Sequence, residues 1–185
     1  MALFPMFVSL EGKKVLVVGG GAVALRKIEK LLPFKPELKI VSKEFSEETL
    51  NLIKKHNIPY EKRAFKPSDL QGQFIVIVAV DDIKLQEEIF RLTRDKNIFV
   101  NAVDSPDYCD FIFPAYVKRE DVVIGITSSG SAPGLSAKIR KHIEKNLPQN
   151  LEQILKQVKN LRKSLPKGKE RQKKVLQLVE ELFKD

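Results

Sequence analysis

The spacing of apolar and polar residues changes period along the chain, and those changes outline its elements. Lys14-Val15-Leu16-Val17-Val18 is a short apolar run that ends in Gly19-Gly20-Gly21. Beyond it Ala24, Ile28, Leu31 and Leu32 recur at helical spacing as far as Pro33, so the pattern predicts strand, glycine turn and helix. Residues 38–42 follow as a second strand at the distance of a βαβ unit, whose parallel pairing requires the helix as crossover. Ser46 then caps an amphipathic helix over residues 47–55, and residues 60–64 form a short edge strand. Residues 74–80 are an almost unbroken apolar, largely β-branched run, which suits a central strand covered on both faces. A helix over 84–96 and a strand over 98–103 complete another pair, with Asp81 and Asp82 placed to cap that helix.

After Pro114 the rhythm changes. Residues 122–126 predict one further strand, 127–134 a loop and 135–146 a helix that stops before Pro148. Two more helices, 151–165 and 171–184, are broken by Pro166-Lys167-Gly168. In the first, Leu151, Ile154, Leu155, Val158 and Leu161 recur at helical spacing; in the second, Val175, Leu176, Leu178, Val179 and Leu182 do so. These are packing faces. The expected fold is α/β, a Rossmann-like doubly wound parallel sheet over residues 1–113, followed by a small α+β module (114–149) and a C-terminal helical hairpin (150–185).

Composition narrows the function classes. With 43% hydrophobic and 31% charged residues among 185, the chain reads as a globular protein able to bury a core. Its longest apolar runs are strand-sized, so no membrane span is expected, and the N-terminus lacks the basic region and cleavage site of a signal peptide, which reads as cytoplasmic. Cys109 is the single cysteine; it excludes an internal disulfide and makes no thiolate metal site by itself. No resident metal is expected. The formal charge of +9 is uneven: from Gly134 onward 14 Lys and Arg face six Asp and Glu. A field of that kind serves nucleic acid, an anionic membrane or an anionic small molecule, or is simply a solvated helical surface. No aromatic stacking platform or recognition helix accompanies it, which disfavours nucleic acid.

The chemistry-bearing motif is Gly19-x-Gly21-x-x-Ala24 between a strand and a helix, the Gly/Gly/Ala form of the dinucleotide fingerprint. Gly19 permits the tight turn, Gly21 lets a pyrophosphate approach the backbone, and Ala24 keeps helix and strand close. The ribose-binding acid of an NAD site belongs at the end of the second strand, where this chain has Ser42 and Lys43 with Glu44 beyond. A lysine there also suits a 2′-phosphate, so NAD and NADP both remain open on the residues. Asp104, in Asn101-Ala102-Val103-Asp104-Ser105-Pro106, stands at the carboxyl end of a parallel strand, the rim where open α/β sheets bind ligands. An aspartate before a turn proline is equally an ordinary turn residue.

Four separated blocks decide further: Leu3-Phe4-Pro5-Met6-Phe7 with residues 15–27, VLVVGGGAVALRK; residues 78–82, VAVDD; residues 101–115, NAVDSPDYCDFIFPA; and residues 127–140, TSSGSAPGLSAKIR. Together they resemble the siroheme synthase family, its precorrin-2 dehydrogenase and sirohydrochlorin ferrochelatase module, over essentially the whole chain. The resemblance implies NAD-dependent oxidation of precorrin-2 to sirohydrochlorin, with insertion of Fe²⁺ as a second activity in some members. It implies a homodimer built on the central module, and Asp104 as the acid–base residue. It implies cofactor contacts from Gly19, Gly20, Gly21, Ala22, Val23, Ser42, Lys43, Val80, Asp81 and Asn101. Substrate contacts are implied from Ser128, Lys138 and Arg140, the last two suiting a polycarboxylate. Ser128 also reads as a loop or capping serine. His142 reads as a solvated helix position, with a place in the site as its alternative, and His56 reads as surface. Val80 stands where the family usually has threonine and Ala132 where serine is common, and the methyltransferase domain fused in some relatives is not expected within these 185 residues. Alternatives are a dehydrogenase without chelatase activity, a nucleotide-sensing nucleic-acid-binding protein, and a dimer with a dead site.

Overall fold

The computed structural model describes residues 3–183, which pack as two compact units, residues 6–112 and residues 3–5 with 113–183. The first unit alternates strand and helix: β1 (Lys14–Val18), α1 (Ala22–Leu31), β2 (Glu37–Ser42), α2 (Glu47–Lys55), β3 (Tyr60–Lys62), β4 (Ile75–Val78), α3 (Ile83–Thr93) and β5 (Phe99–Ala102). The five strands form one sheet in the order β3-β2-β1-β4-β5, every pairing parallel. The order reverses direction between β1 and β4. That switch point opens a crevice at the carboxyl ends of the strands.

The sheet is held by burial on both faces. Val15, Leu16, Val17, Ile40, Val41, Val76, Ile77 and Val78 are at most 3% exposed, and Ala24 and Ile28 of α1 and Ile89 of α3 are fully buried against it. Each such side chain contributes about 2 kcal/mol by leaving water. Ser46 caps α2 by accepting from Thr49 N at 3.2 Å. Asp82 caps α3 by accepting from Leu85 N at 3.1 Å. Asp81 makes no such bond and is exposed.

Several bounds differ from the sequence reading. Ladder pairing in β4 covers Ile75–Val78 rather than residues 74–80, although Phe74 N still donates to Lys14 O and Ala79 N to Val18 O. β3 stops at Lys62 because Arg63 turns its guanidinium onto Asp69, with bonds of 2.8 and 2.6 Å. α3 begins at Ile83 and ends at Thr93, the chain then reversing through Asn97 at φ +52.

The second unit holds a strand that the hydrophobic pattern did not reveal. β6 (Ala115–Arg119) pairs antiparallel with β7 (Val122–Ile126) across a turn in which Glu120 has φ +49. Only Val117 of β6 is buried, so polar Lys118 and Arg119 disguised it. α4 (Pro133–Asn146) starts earlier than expected because Pro133 occupies its first turn, where a missing N–H costs nothing. α5 (Leu151–Ser164) and α6 (Lys169–Leu182) form the hairpin, with Leu151 and Ile154 buried. Leu176 is the exception among the expected packing positions: it is 62% exposed. Residue 184 of the expected last helix lies outside the described residues.

Candidate functional site

The glycine turn joins β1 to α1 at the switch point. Gly19 N donates to Val41 O at 2.9 Å, and Ser46 N donates to Gly20 O at 2.9 Å, so the turn is pinned to the end of β2 and the start of α2. The three glycines have different physical reasons. Gly19 has φ +125, and a Cβ there would lie 2.3 Å from Ala79 O. A Cβ on Gly20 would lie 2.4 Å from Glu44 O and 2.7 Å from the Phe45 ring. Gly21 is different: its φ is −90°, and nothing lies within 4 Å of a Cβ built there. The protein itself does not require glycine at that position. Open space at the start of a helix is what an approaching phosphate needs.

The helix end fits the same occupant. Gly21 is the N-cap of α1, no side chain caps it, and the first turn holds no acid. The early N–H groups, those of Ala22 and Val23 included, have no helical acceptor and carry the positive end of the helix dipole. A dinucleotide pyrophosphate satisfies both. Ala22 is exposed and Val23 half-buried beside the turn. At the end of β2, Ser42 donates its hydroxyl to Glu44 O at 2.6 Å, and Lys43 is exposed.

The ends of β4 and β5 supply the other side of the crevice. Val80 is half-buried and Asp81 exposed. Val103 N donates to Val78 O at 3.0 Å, which carries the parallel pairing to the residue before Asp104. Asp104 is exposed and has φ +59, a left-handed conformation that aspartate tolerates better than most residues. The glycine turn, Ser42, Lys43, Val80, Asp81, Asn101 and Asp104 all belong to the 6–112 unit, and all but Asn101 follow or end strands at its carboxyl rim. Ser128, Lys138 and Arg140 belong to the second unit. There Ser128 Oγ accepts from Ala132 N at 3.0 Å just before α4, Lys138 is exposed, and Arg140 pairs with Glu144 at 2.5 Å. His142 and His56 are exposed.

Beneath Asp104 lies a polar network that the sequence did not disclose. Asn101 is 4% exposed; its Oδ1 accepts from Lys27 Nζ at 3.0 Å, and its Nδ2 donates to Phe111 O at 2.9 Å and to Cys109 Sγ at 3.7 Å. Cys109 Sγ in turn donates to Ala102 O at 3.0 Å and Ser105 O at 3.3 Å. The half-buried thiol thus holds the two ends of the Asp104 turn. Burial pushes its pKa up. Burial, with Lys30 nearby, brings Lys27 down to about 8, against a pull in the other direction from Cys109 and Asp104. Asp110 completes the loop: it accepts from Val100 N at 2.8 Å and from Arg94 at 2.8 and 2.7 Å, and Arg94 holds its carboxyl below the usual range. The stretch 101–111 is therefore folded back on β5.

Lys27 was hidden because its period on α1 matches a solvent-facing lysine as well as an inward one. Gln86 of α3 left a clearer trace, a polar residue three positions before Ile89 and seven before Thr93 on the buried face. Among the described residues no three of His, Cys, Asp and Glu converge as a metal cluster, and no helix is long and apolar enough to cross a membrane.

The family described as "Putative NAD(P)-binding" matches residues 6–115. A siroheme synthase of Baumannia cicadellinicola subsp. Homalodisca coagulata is 38% identical over 141 residues, 76% of this chain and 30% of that protein. One of Neisseria meningitidis serogroup B (strain ATCC BAA-335 / MC58) is 39% identical over 141 residues, 76% of this chain and 29% of that protein. The chain thus spans about 30% of the length of the curated relatives it matches. Among solved structures, one titled "SirC, precorrin-2 dehydrogenase" has the same fold, with a TM-score of 0.81 at 23% identity over 96% of this chain and 89% of that one. The chain belongs to the NAD(P)-binding family that matches residues 6–115, with siroheme synthases among its relatives.

Proposed function

We propose that the chain is a precorrin-2 dehydrogenase, oxidising precorrin-2 to sirohydrochlorin with NAD, and that it works in the cytoplasm as a homodimer. The observation that carries this reading is the shared rim: Asp104 lies just beyond the end of β5, the strand next to β4, on the same edge as an uncapped glycine turn whose third glycine faces open space. Support for the substrate comes from the names of the relatives, siroheme synthases, and of the fold neighbour.

Gly19, Gly20 and Gly21 with the N–H groups of Ala22 and Val23 hold the pyrophosphate, and Ser42 and Lys43 lie toward the adenosine ribose. Val80 and Asp81 border the nicotinamide end, whereas Asn101, 4% exposed and with both amide atoms bonded to Lys27, Cys109 and Phe111, holds the loop after β5 instead. Bound there, the dinucleotide supplies a hydride acceptor. The Asp104 carboxylate accepts the proton that the macrocycle loses as its C–H bond gives up the hydride, and then releases it to water. Asp104 is exposed, so this release needs no internal relay. Ser128, Lys138 and Arg140 bind carboxylates of the tetrapyrrole. The basic section from Gly134 onward serves that anionic small molecule rather than nucleic acid or a membrane.

The test is anaerobic incubation with precorrin-2, once with NAD and once with NADP, followed by its absorption spectrum. Conversion with NAD is expected, and Asp104→Asn should bind NAD but lose most turnover. A spectrum unchanged with either cofactor overturns the reading. The siroheme synthase relatives favour a second activity, insertion of Fe²⁺ into sirohydrochlorin with Asp104 accepting pyrrole protons. Insertion no faster than the uncatalysed rate rejects that part alone.

A further inference from the structure

Helix α3 carries a buried amide that neither the core nor the cap explains. Gln86 is 2% exposed, and its Nε2 donates to Val80 O at 2.7 Å and to Val103 O at 3.2 Å. Those carbonyls lie just past the ends of the neighbouring strands β4 and β5, each one residue before an aspartate, Asp81 and Asp104. Both partners are acceptors, so the amide orientation is forced: Nε2 faces them and Oε1 turns away. Oε1 is buried without a hydrogen-bond partner. A buried acceptor left unmatched is unfavourable. A position that served packing alone would be better filled by Met or Leu, which bring no such acceptor. What the amide adds is therefore the pair of bonds across the two strand ends.

The turn it holds needs holding. Asp104 has φ +59, and a non-glycine residue keeps a left-handed conformation only where its surroundings over-determine it. Val103, immediately before it, is fixed on one side by its N–H to Val78 O and on the other by its carbonyl to Gln86. We infer that Gln86 is a positioning residue that clamps the ends of β4 and β5 and so sets the Asp104 carboxylate relative to the Val80–Asp81 loop, an assignment that rests on the dehydrogenase reading above.

The test is a double-mutant cycle with Asp104. Gln86→Met keeps the volume and removes both bonds. Because the clamp acts on the carboxylate and not on the glycine turn, kcat should fall about 10- to 100-fold with the KM for NAD changed less than about twofold. In the Asp104→Asn background the same change should cost little more, since the group it positions is gone. Gln86→Glu guards against misfolding of the methionine variant: a protonated carboxyl returns one donor and a carboxylate none, so its kcat should fall as pH rises across a range where the wild type is steady. Unchanged kcat, or an equal loss with and without Asp104, overturns the clamp. A wild type that does not convert precorrin-2 overturns the dehydrogenase reading instead. Amide hydrogen exchange then decides the clamp: Gln86→Met should speed exchange at residues 80–82 and 103–105 but not at 19–24, and an unchanged pattern rejects it.

Discussion

Glycine does two kinds of work within three consecutive residues. Gly19 is required by the fold, because its φ of +125 and the Ala79 carbonyl 2.3 Å from any Cβ exclude a side chain. Gly21 is required by no atom of the protein. Gly19→Ala should therefore destabilise by about 3 kcal/mol, seen as a lower denaturant midpoint. Gly21→Ala should cost no more than about 1 kcal/mol, the difference between glycine and alanine at an N-cap, while weakening NAD(P) binding at least about tenfold in a titration, since its methyl occupies the space left for the phosphates. Equal effects of the two substitutions on stability would sink the distinction. Lys27 gives a second residue-scale expectation. Its pKa is about 8 when folded and 10.5 when free, so between those values the unfolded chain binds the extra proton and stability rises with pH; below about 8 both states are protonated and the site adds no slope. Urea unfolding at several pH values should show that rise in the wild type and its loss in Lys27→Met. Parallel curves would reject it.

Single elements owe their ends to polar contacts that local pattern only half reveals. Ser46 and Asp82 were legible as caps because a capping residue sits at a fixed offset from the helix it starts. Arg63 and Asp69 were not: nothing local marks two charges six residues apart as a bidentate pair, yet that pair ends β3 and buries Asp69 to 6% exposure. Arg63 holds the Asp69 carboxyl below the usual range, so its contribution is present above the free carboxylate pKa and is lost as pH falls through the lower folded value. Asp69→Asn should lower stability at neutral pH by taking the carboxylate from Arg63, which then keeps Glu61 and the Ala64 carbonyl, and the gap from wild type should close in acid. β6 shows the opposite error. Its alternation was masked by Lys118 and Arg119, and antiparallel pairing with β7 supplied what propensity did not.

The whole molecule adds charge and exposed apolar surface. Because most of the net positive charge lies beyond Gly134, raising salt from about 50 to about 500 mM should raise the KM for the polycarboxylate several-fold with little change in kcat. A KM independent of salt would remove the basic C-terminal section from the proposed substrate binding. Phe4, Met6 and Phe7 are 66–88% exposed, more than a solitary chain ordinarily leaves in water at one place. Sedimentation of the wild type should give a dimer, and a monomer at micromolar concentration would count against the proposed assembly.

The order of strands and helices, the glycine turn and the acid at a strand end could be read from residues 14–104 alone, because period and turn chemistry are local properties of a chain. Tertiary structure decided that β4 lies beside β1 with β5 outside it, that Lys27 meets Asn101, and that one amide on α3 spans two strand ends. Those are contacts between segments up to 74 residues apart. Such meetings are selected by the sum of core burial over the whole sheet, a quantity no local window contains.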